Sequence, residues 1–219
     1  EAVECIGGSV MELMGGGGGH DPAGWEHARE VYLTEENPLS PCMEDFMPDN
    51  ARSICLTYIT PHLWEMTGIQ LGTPDPELFE KAFSYCDRIS RKSQNLRDAC
   101  FGGFGKEFVP LTAARDIRAV DQLGAEALAQ VLSWCKKAKA DDGKAACVSE
   151  ALGSLFWGGE NNPEASFRFC DLTLYESTAI QRACYERLAG GIRSYKTDPE
   201  EKGNLCRRVP EIYRTLCSL

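Results

Sequence analysis

The sequence predicts an all-α chain, built of disulfide-stapled helical hairpins stacked as an irregular α-solenoid. Three observations predict it. No stretch alternates apolar and polar residues as a strand would, whereas apolar residues recur at helical spacing, as in Leu78, Phe79, Ala82 and Phe83. A helix–turn–helix plan with a cysteine on each side of a polar turn recurs at Ala82–Gly105, Trp134–Trp157 and Phe169–Gly191. The first cysteines of successive pairs fall at 42, 86, 135, 170 and 206, and the shortest intervals match the period of helix-hairpin solenoids.

Taken in order, Glu1–Met14 reads as a helix carrying Cys5. The match of CIGGSVME at Cys5 to CFGGFGKE at Cys100 makes Cys5 the start of a second helix of a repeat, whose first helix and cysteine partner are expected before residue 1. Gly15–Gly19 cannot continue a helix, because glycine loses too much backbone freedom. Asp21-Pro22 then opens a short helix to about Tyr32, with Asp at the N-cap and Pro in the first turn. NPLSPCMEDF is expected to be a short helix carrying Cys42, followed by a turn and a longer helix carrying Cys55 that breaks near Pro61. Asp75-Pro76-Glu77 starts the helix that ends near Cys86, and Asn162-Pro163-Glu164 and Asp198-Pro199-Glu200 repeat that start. The stretch from Val109 to Gly124 lengthens one interval and reads as an insertion or helix extension; ADDGK (140–144) reads as a turn. Pro210 breaks the chain before a last helix with Cys217. The whole is expected to form one helical-repeat domain over 1–219: a half repeat at 1–20 and hairpins at about 38–68, 75–108, 124–158, 162–195 and 198–219.

Two helices joined by a turn lie antiparallel, so residues equidistant from the turn face each other. Cys42 and Cys55 centre on Pro48-Asp49, Cys86 and Cys100 on Ser93, Cys135 and Cys147 on Asp141, Cys170 and Cys184 on Ser177, and Cys206 and Cys217 on Glu211 beside Pro210. All these centres are polar or turn-forming. Five bridges are therefore expected, leaving Cys5 unpaired or paired outside this stretch. Each would close a short loop, worth about 3 kcal/mol in the chain-entropy account.

Composition narrows the function. The net charge of −10 shows no basic stripe for nucleic acid and disfavours an anionic membrane surface. No apolar run approaches the length of a membrane span. The eleven cysteines include no CxxC, which argues against zinc, c-type haem and thioredoxin-like chemistry. Their wide spacing fits structural disulfides in the periplasm or outside the cell. Paired helices, a period of about 35 residues and one bridge per pair resemble the cysteine-rich secreted relatives of Sel1-like and tetratricopeptide repeats. That resemblance implies a binding scaffold and carries over no functional residue.

Candidate chemistry is sparse. His20, Asp21 and His27 form the one compact cluster of metal-ligand types, with Met11, Met14 and His62 as candidates to join it in space; against a metal stands the absence of a template such as HExxH. The glycine run lacks the Lys-Ser/Thr of a P-loop, and no GxSxG is present. Glu12 and Glu107 recur at equivalent positions, where a carboxylate more often binds a neighbouring helix's backbone N–H groups than catalyses. Gly7, Gly8, Gly102, Gly103, Gly105, Gly153, Gly190 and Gly191 read as contacts between repeats, and Tyr85, Trp134 and Phe169 as core packing on the bridges. The reading is a non-enzymatic, extracytoplasmic scaffold or subunit of a larger assembly that binds other proteins or itself, without a cofactor. The alternatives are a metal-dependent protein using His20, Asp21 and His27, and a small-molecule carrier on the concave face.

Overall fold

A computed structural model describes residues 2–15, 22–70, 75–157 and 162–217. The chain is all-α and falls into two compact units, Glu1–Gly103 and Phe104–Leu219.

In the first unit, α1 (Ala2–Gly15) lies against α3 (Asp49–Tyr58), with α2 (Pro22–Tyr32) beside α1. A further helix, α4 (Thr60–Glu65), follows α3 after a break at Ile59, because Pro61 supplies no N–H to continue the ladder. The pair α5 (Phe79–Cys86) and α6 (Gln94–Thr112) completes the unit, the division between units falling inside α6. The expected helix over NPLSPCMEDF does not form. Residues 37–47 are successive turns, with N–H groups of Ser40, Met43, Glu44 and Met47 donating three or four residues back. Pro38 and Pro41 remove two donors and bias the residues before them away from the helical region; the Ser40–Pro41 bond is cis.

The second unit contains α7 (Ala125–Cys135), α8 (Asp141–Trp157), α9 (Glu164–Leu172), α10 (Thr178–Tyr195), α11 (Pro199–Arg208) and the single turn α12 (Glu211–Arg214). First helices pack on first helices and second on second: α7 on α9, and α8 along α10. ADDGK is not a turn as a whole. The chain turns at 136–140 and α8 begins at Asp141, so that Asp141 and Asp142 lie at the positive end of the helix dipole. The lengthened interval after Phe108 is partly helix extension, to Thr112, and partly loop. Ala114 and Arg115 there adopt left-handed φ values of 51° and 66°.

The repeated X-Pro-Glu starts share one device. The side chains of Asp75, Asn162 and Asp198 each accept the N–H two residues on, from Glu77, Glu164 and Glu200 at 2.9–3.1 Å. The disulfides are Cys42–Cys55, Cys86–Cys100, Cys135–Cys147, Cys170–Cys184 and Cys206–Cys217, each joining neighbouring segments with Cα atoms 5.3–5.8 Å apart. Cys5 is free and exposed. These bridges indicate an oxidising compartment. Among the described residues no helix is long and apolar enough to cross a membrane.

Aromatic side chains fill both cores. In the first unit Trp64 stacks at a tilt on Phe79 (5.6 Å) and Phe83 on Phe101 (5.9 Å), all fully buried. In the second, Phe108 meets Trp134 at 5.3 Å and Tyr185 stacks on Tyr213 at 5.3 Å. Tyr85, Trp134 and Phe169 are buried, as core residues. Glycine sits where helices come closest. A Cβ on Gly103 would stand 2.7 Å from the Thr57 carbonyl oxygen, and one on Gly105 would overlap the Cys147 carbonyl of α8. Gly7, Gly153 and Gly191 face Ile54, Arg187 and Phe156, whereas Gly8 and Gly190 face open space and are not contacts.

Candidate binding groove

Of the sequence-selected metal residues, one falls within the described residues. His20 and Asp21 lie outside the described residues, and His27 is exposed on α2. Met14 is buried, Met11 is 47% exposed, and among the described residues no three His, Cys, Asp or Glu side chains are placed to hold a metal ion. Glu12 and Glu107 are not equivalent. Glu12 is exposed, whereas Glu107 is buried and ion-paired to Lys106 (2.6 Å) and Arg115 (2.9 Å) rather than to backbone N–H groups. Burial raises the Glu107 pKa, but the two cations outweigh it and hold the carboxyl below its ordinary range. The left-handed turn at Ala114–Arg115 brings Arg115 back to the helix that carries Glu107. This network closes a loop and is structural.

His62 is buried in the first unit. Burial and the nearby Arg29 guanidinium push its pKa down to about 4, so the imidazole is neutral at ordinary pH. It lines a cavity of about 290 Å³ together with Arg29, Glu30, Glu35 and Glu65. The Arg29 guanidinium is already engaged: it pairs with Glu65, donates to the Leu13 carbonyl at 3.1 Å and lies over the Trp25 ring. Its role is to hold α2 on the end of α1, helped by the Trp25 indole N–H, which donates to the same carbonyl at 3.2 Å. A smaller cavity in the second unit, about 150 Å³, lies beside Phe156, Arg187 and Tyr195; Arg187 is paired with Glu150 at 3.2 Å.

A third concavity, in the first unit, is apolar. It measures about 430 Å³ and is walled by Ile6, Val10 and Leu13 of α1, by Ala28 and Tyr32 of α2, and by Pro41, Phe46, Met47 and Pro48 of the turn segment. Ile6, Val10 and Leu13 fall on one stripe because residues three and four apart share a helix face. The turn segment is held in place by the Cys42–Cys55 bridge, by the Arg52 guanidinium donating to the Met43 and Glu44 carbonyls at 3.2 Å, and by Asn37 donating to Glu44 at 2.7 Å. Phe46 packs edge-on to Tyr32 at 6.2 Å, yet remains 63% exposed, and Tyr32 is 44% exposed. The groove is thus open, with two aromatic rings on its rim. Among the described residues no carboxylate, imidazole, amine or thiol lines it; its polar side chains are Tyr32 and Ser9, whose hydroxyl donates to the Cys5 carbonyl at 3.0 Å. Such a lining suits apolar surface.

Sequence reasoning missed this groove. The available signal was Phe46, an aromatic residue inside the polar turn EDFMPDN, where a ring has no obvious core to enter. The walls come from three segments, and only the packing of α1, α2 and the turns brings them together.

No protein-family model matches the chain, and neither a curated protein nor a solved structure matches it.

Proposed function

We propose that this chain is a non-enzymatic binding scaffold of the periplasm or extracellular space, which recognises another protein through the apolar groove of its first unit. The observation that carries the reading is the open groove itself. Phe46 and Tyr32 leave large aromatic side chains in water on its rim. Exposed aromatic side chains around a shaped concavity are the usual anchors of a protein interface. The disulfides support the setting, since each hairpin is stapled separately and the binding surface needs no reducing environment. An enclosed cavity would instead favour a small-molecule carrier; the groove's size suits such a ligand, but its open rim suits a protein segment better.

The test is co-purification from the native source with the oxidised protein as bait, comparing wild type with Phe46→Asp. Phe46 is largely exposed, so the substitution leaves the core alone. A partner retained by wild type and lost by F46D, with unchanged helical circular dichroism, supports the reading. Equal recovery by both proteins refutes it. Elemental analysis of the same protein tests the metal alternative at His20, Asp21 and His27.

A further inference from the structure

The charge of this protein is not spread along its length. The first 49 residues hold eleven Asp and Glu against a single Lys or Arg, Arg29, while the remaining 170 hold 22 of each sign. The whole formal charge of −10 therefore belongs to the segment that builds the groove. Arg29 does not offset it locally, because its guanidinium is committed to Glu65 and the Leu13 carbonyl. Glu12 on α1, Glu26 on α2, and Glu36 and Asp45 in the connecting segment are exposed, on the same elements whose apolar side chains wall the groove; Glu30 and Glu35 line the cavity beside His62, and Asp49, the first residue of α3, pairs with Arg52 at 3.1 Å. An apolar trough on elements of net negative charge selects for the opposite charge.

We infer that the groove takes a cationic amphipathic helix of a partner protein, with leucine-type side chains seated among Ile6, Val10, Tyr32 and Phe46 and Lys or Arg side chains drawn by the net negative charge of the segment that builds it. This rests on the reading of the groove as the protein-recognition surface and adds the chemistry of the partner. The geometry suits it. From Ile6 to Leu13 the α1 wall runs about 10 Å, two helical turns, which matches the i, i+3, i+4, i+7 anchors of a helix laid in a groove. A second copy of this chain is disfavoured at the same face, since it would bring two acidic surfaces together. Nucleic acid and anionic lipid are repelled for the same reason.

The test uses the oxidised full chain and three fluorescent peptides of about fourteen residues, long enough to span the groove when helical. One has a Leu face and a Lys/Arg face, the second has the same Leu face with Glu in place of Lys/Arg, and the third has the first peptide's composition with its apolar face scrambled. Fluorescence anisotropy should show the first binding at least about ten-fold tighter than either of the others, and weakening about ten-fold or more between 50 and 500 mM NaCl. Phe46→Asp should weaken it about ten-fold, and the exposed triple variant Glu26→Gln, Glu36→Gln, Asp45→Asn should weaken it several-fold while leaving thermal stability unchanged.

If the Glu-faced peptide binds as well and is equally sensitive to F46D, the inference about charge falls while the groove remains a recognition surface. If the scrambled peptide binds as well, or F46D has no effect on the cationic peptide, the attraction is diffuse ionic adsorption and the inference falls. It also falls if no helix binds, if the protein sediments as a dimer that F46D dissociates, or if native mass spectrometry finds an apolar small molecule in the groove. The bait experiment with F46D then reports separately on whether the groove recognises a protein at all.

Discussion

Replacing Gly105 by alanine should destabilise this protein, although the same change elsewhere in its helices should stabilise it. Gly105 lies inside α6, where alanine is favoured over glycine by about 1 kcal/mol. Against that gain stands the approach of α8. A Cβ at 105 would overlap the Cys147 carbonyl oxygen and stand 2.8 Å from the Ala151 nitrogen. Both are backbone atoms, so neither rotates away, and Cys147 is further tied through its bridge to Cys135. Accommodating the methyl means moving one helix against the other, which in a packed core costs about 1–3 kcal/mol or more. The net for G105A is a loss of about 1–2 kcal/mol after the propensity gain. Gly8 and Gly190 have no atom within 4 Å of the corresponding position, so Gly8→Ala and Gly190→Ala should each gain about 0.5–1 kcal/mol. Urea unfolding of the oxidised proteins, followed by far-ultraviolet circular dichroism, reads the midpoint shifts directly. A Gly105→Ala protein as stable as wild type would refute the close approach of α6 and α8, and with it the idea that glycine marks helix contacts here.

Lowering the pH from about 6.5 to 4 should cost stability through His62, because the unfolded chain takes up a proton that the folded one excludes; the loss is up to about 3 kcal/mol, and unfolding midpoints of His62→Gln should lack it over that window. Glu107→Gln should cost about 1–3 kcal/mol at neutral pH by stranding Lys106 and Arg115, and the deficit should vanish in acid, because the carboxylate's contribution, full above its ordinary pKa, is lost as pH falls through the lowered folded value. Arg97 is 1% exposed and donates to the Ile89 carbonyl at 3.0 Å while pairing with Asp87 at 3.2 Å; Arg97→Met should lower stability by about 2–3 kcal/mol in chemical denaturation, with hydrogen exchange rising first at the end of α5. Removing the second hairpin staple of the second unit, as Cys170→Ala with Cys184→Ala, should cost about 3 kcal/mol, read as a lower denaturation midpoint that added reductant no longer shifts at that site.

Much of the fold was legible because it depends on local chemistry. The X-Pro-Glu starts announce caps that need only a side chain and the N–H two residues on, and Asp75, Asn162 and Asp198 all make that bond. The bridges Cys86–Cys100, Cys135–Cys147 and Cys170–Cys184 follow from the geometry of paired helices, in which distance from the turn decides what faces what, whereas Cys42 reaches Cys55 from a segment of turns. Where the local signals conflicted, the reading failed. Pro38 and Pro41 dissolved the helix expected around Cys42, and Asp142-Gly143, a turn dipeptide by composition, sits in the first turn of α8, where acidic residues are favoured. Glu12 and Glu107 share a sequence context but not an environment, since only Glu107 has an Arg115 folded back onto it.

The sequence by itself determined the class, the hairpin plan, the pairing of ten cysteines and the oxidising setting, because each rests on spacing within about fifteen residues. Only the tertiary structure decided which glycines are contacts, that Glu107 is buried and paired, and that Ile6, Val10, Tyr32 and Phe46 wall a single groove. Those features join residues from separate elements. A pattern along one helix shows that a face is apolar, but not whether a neighbour covers it or leaves it open to a partner.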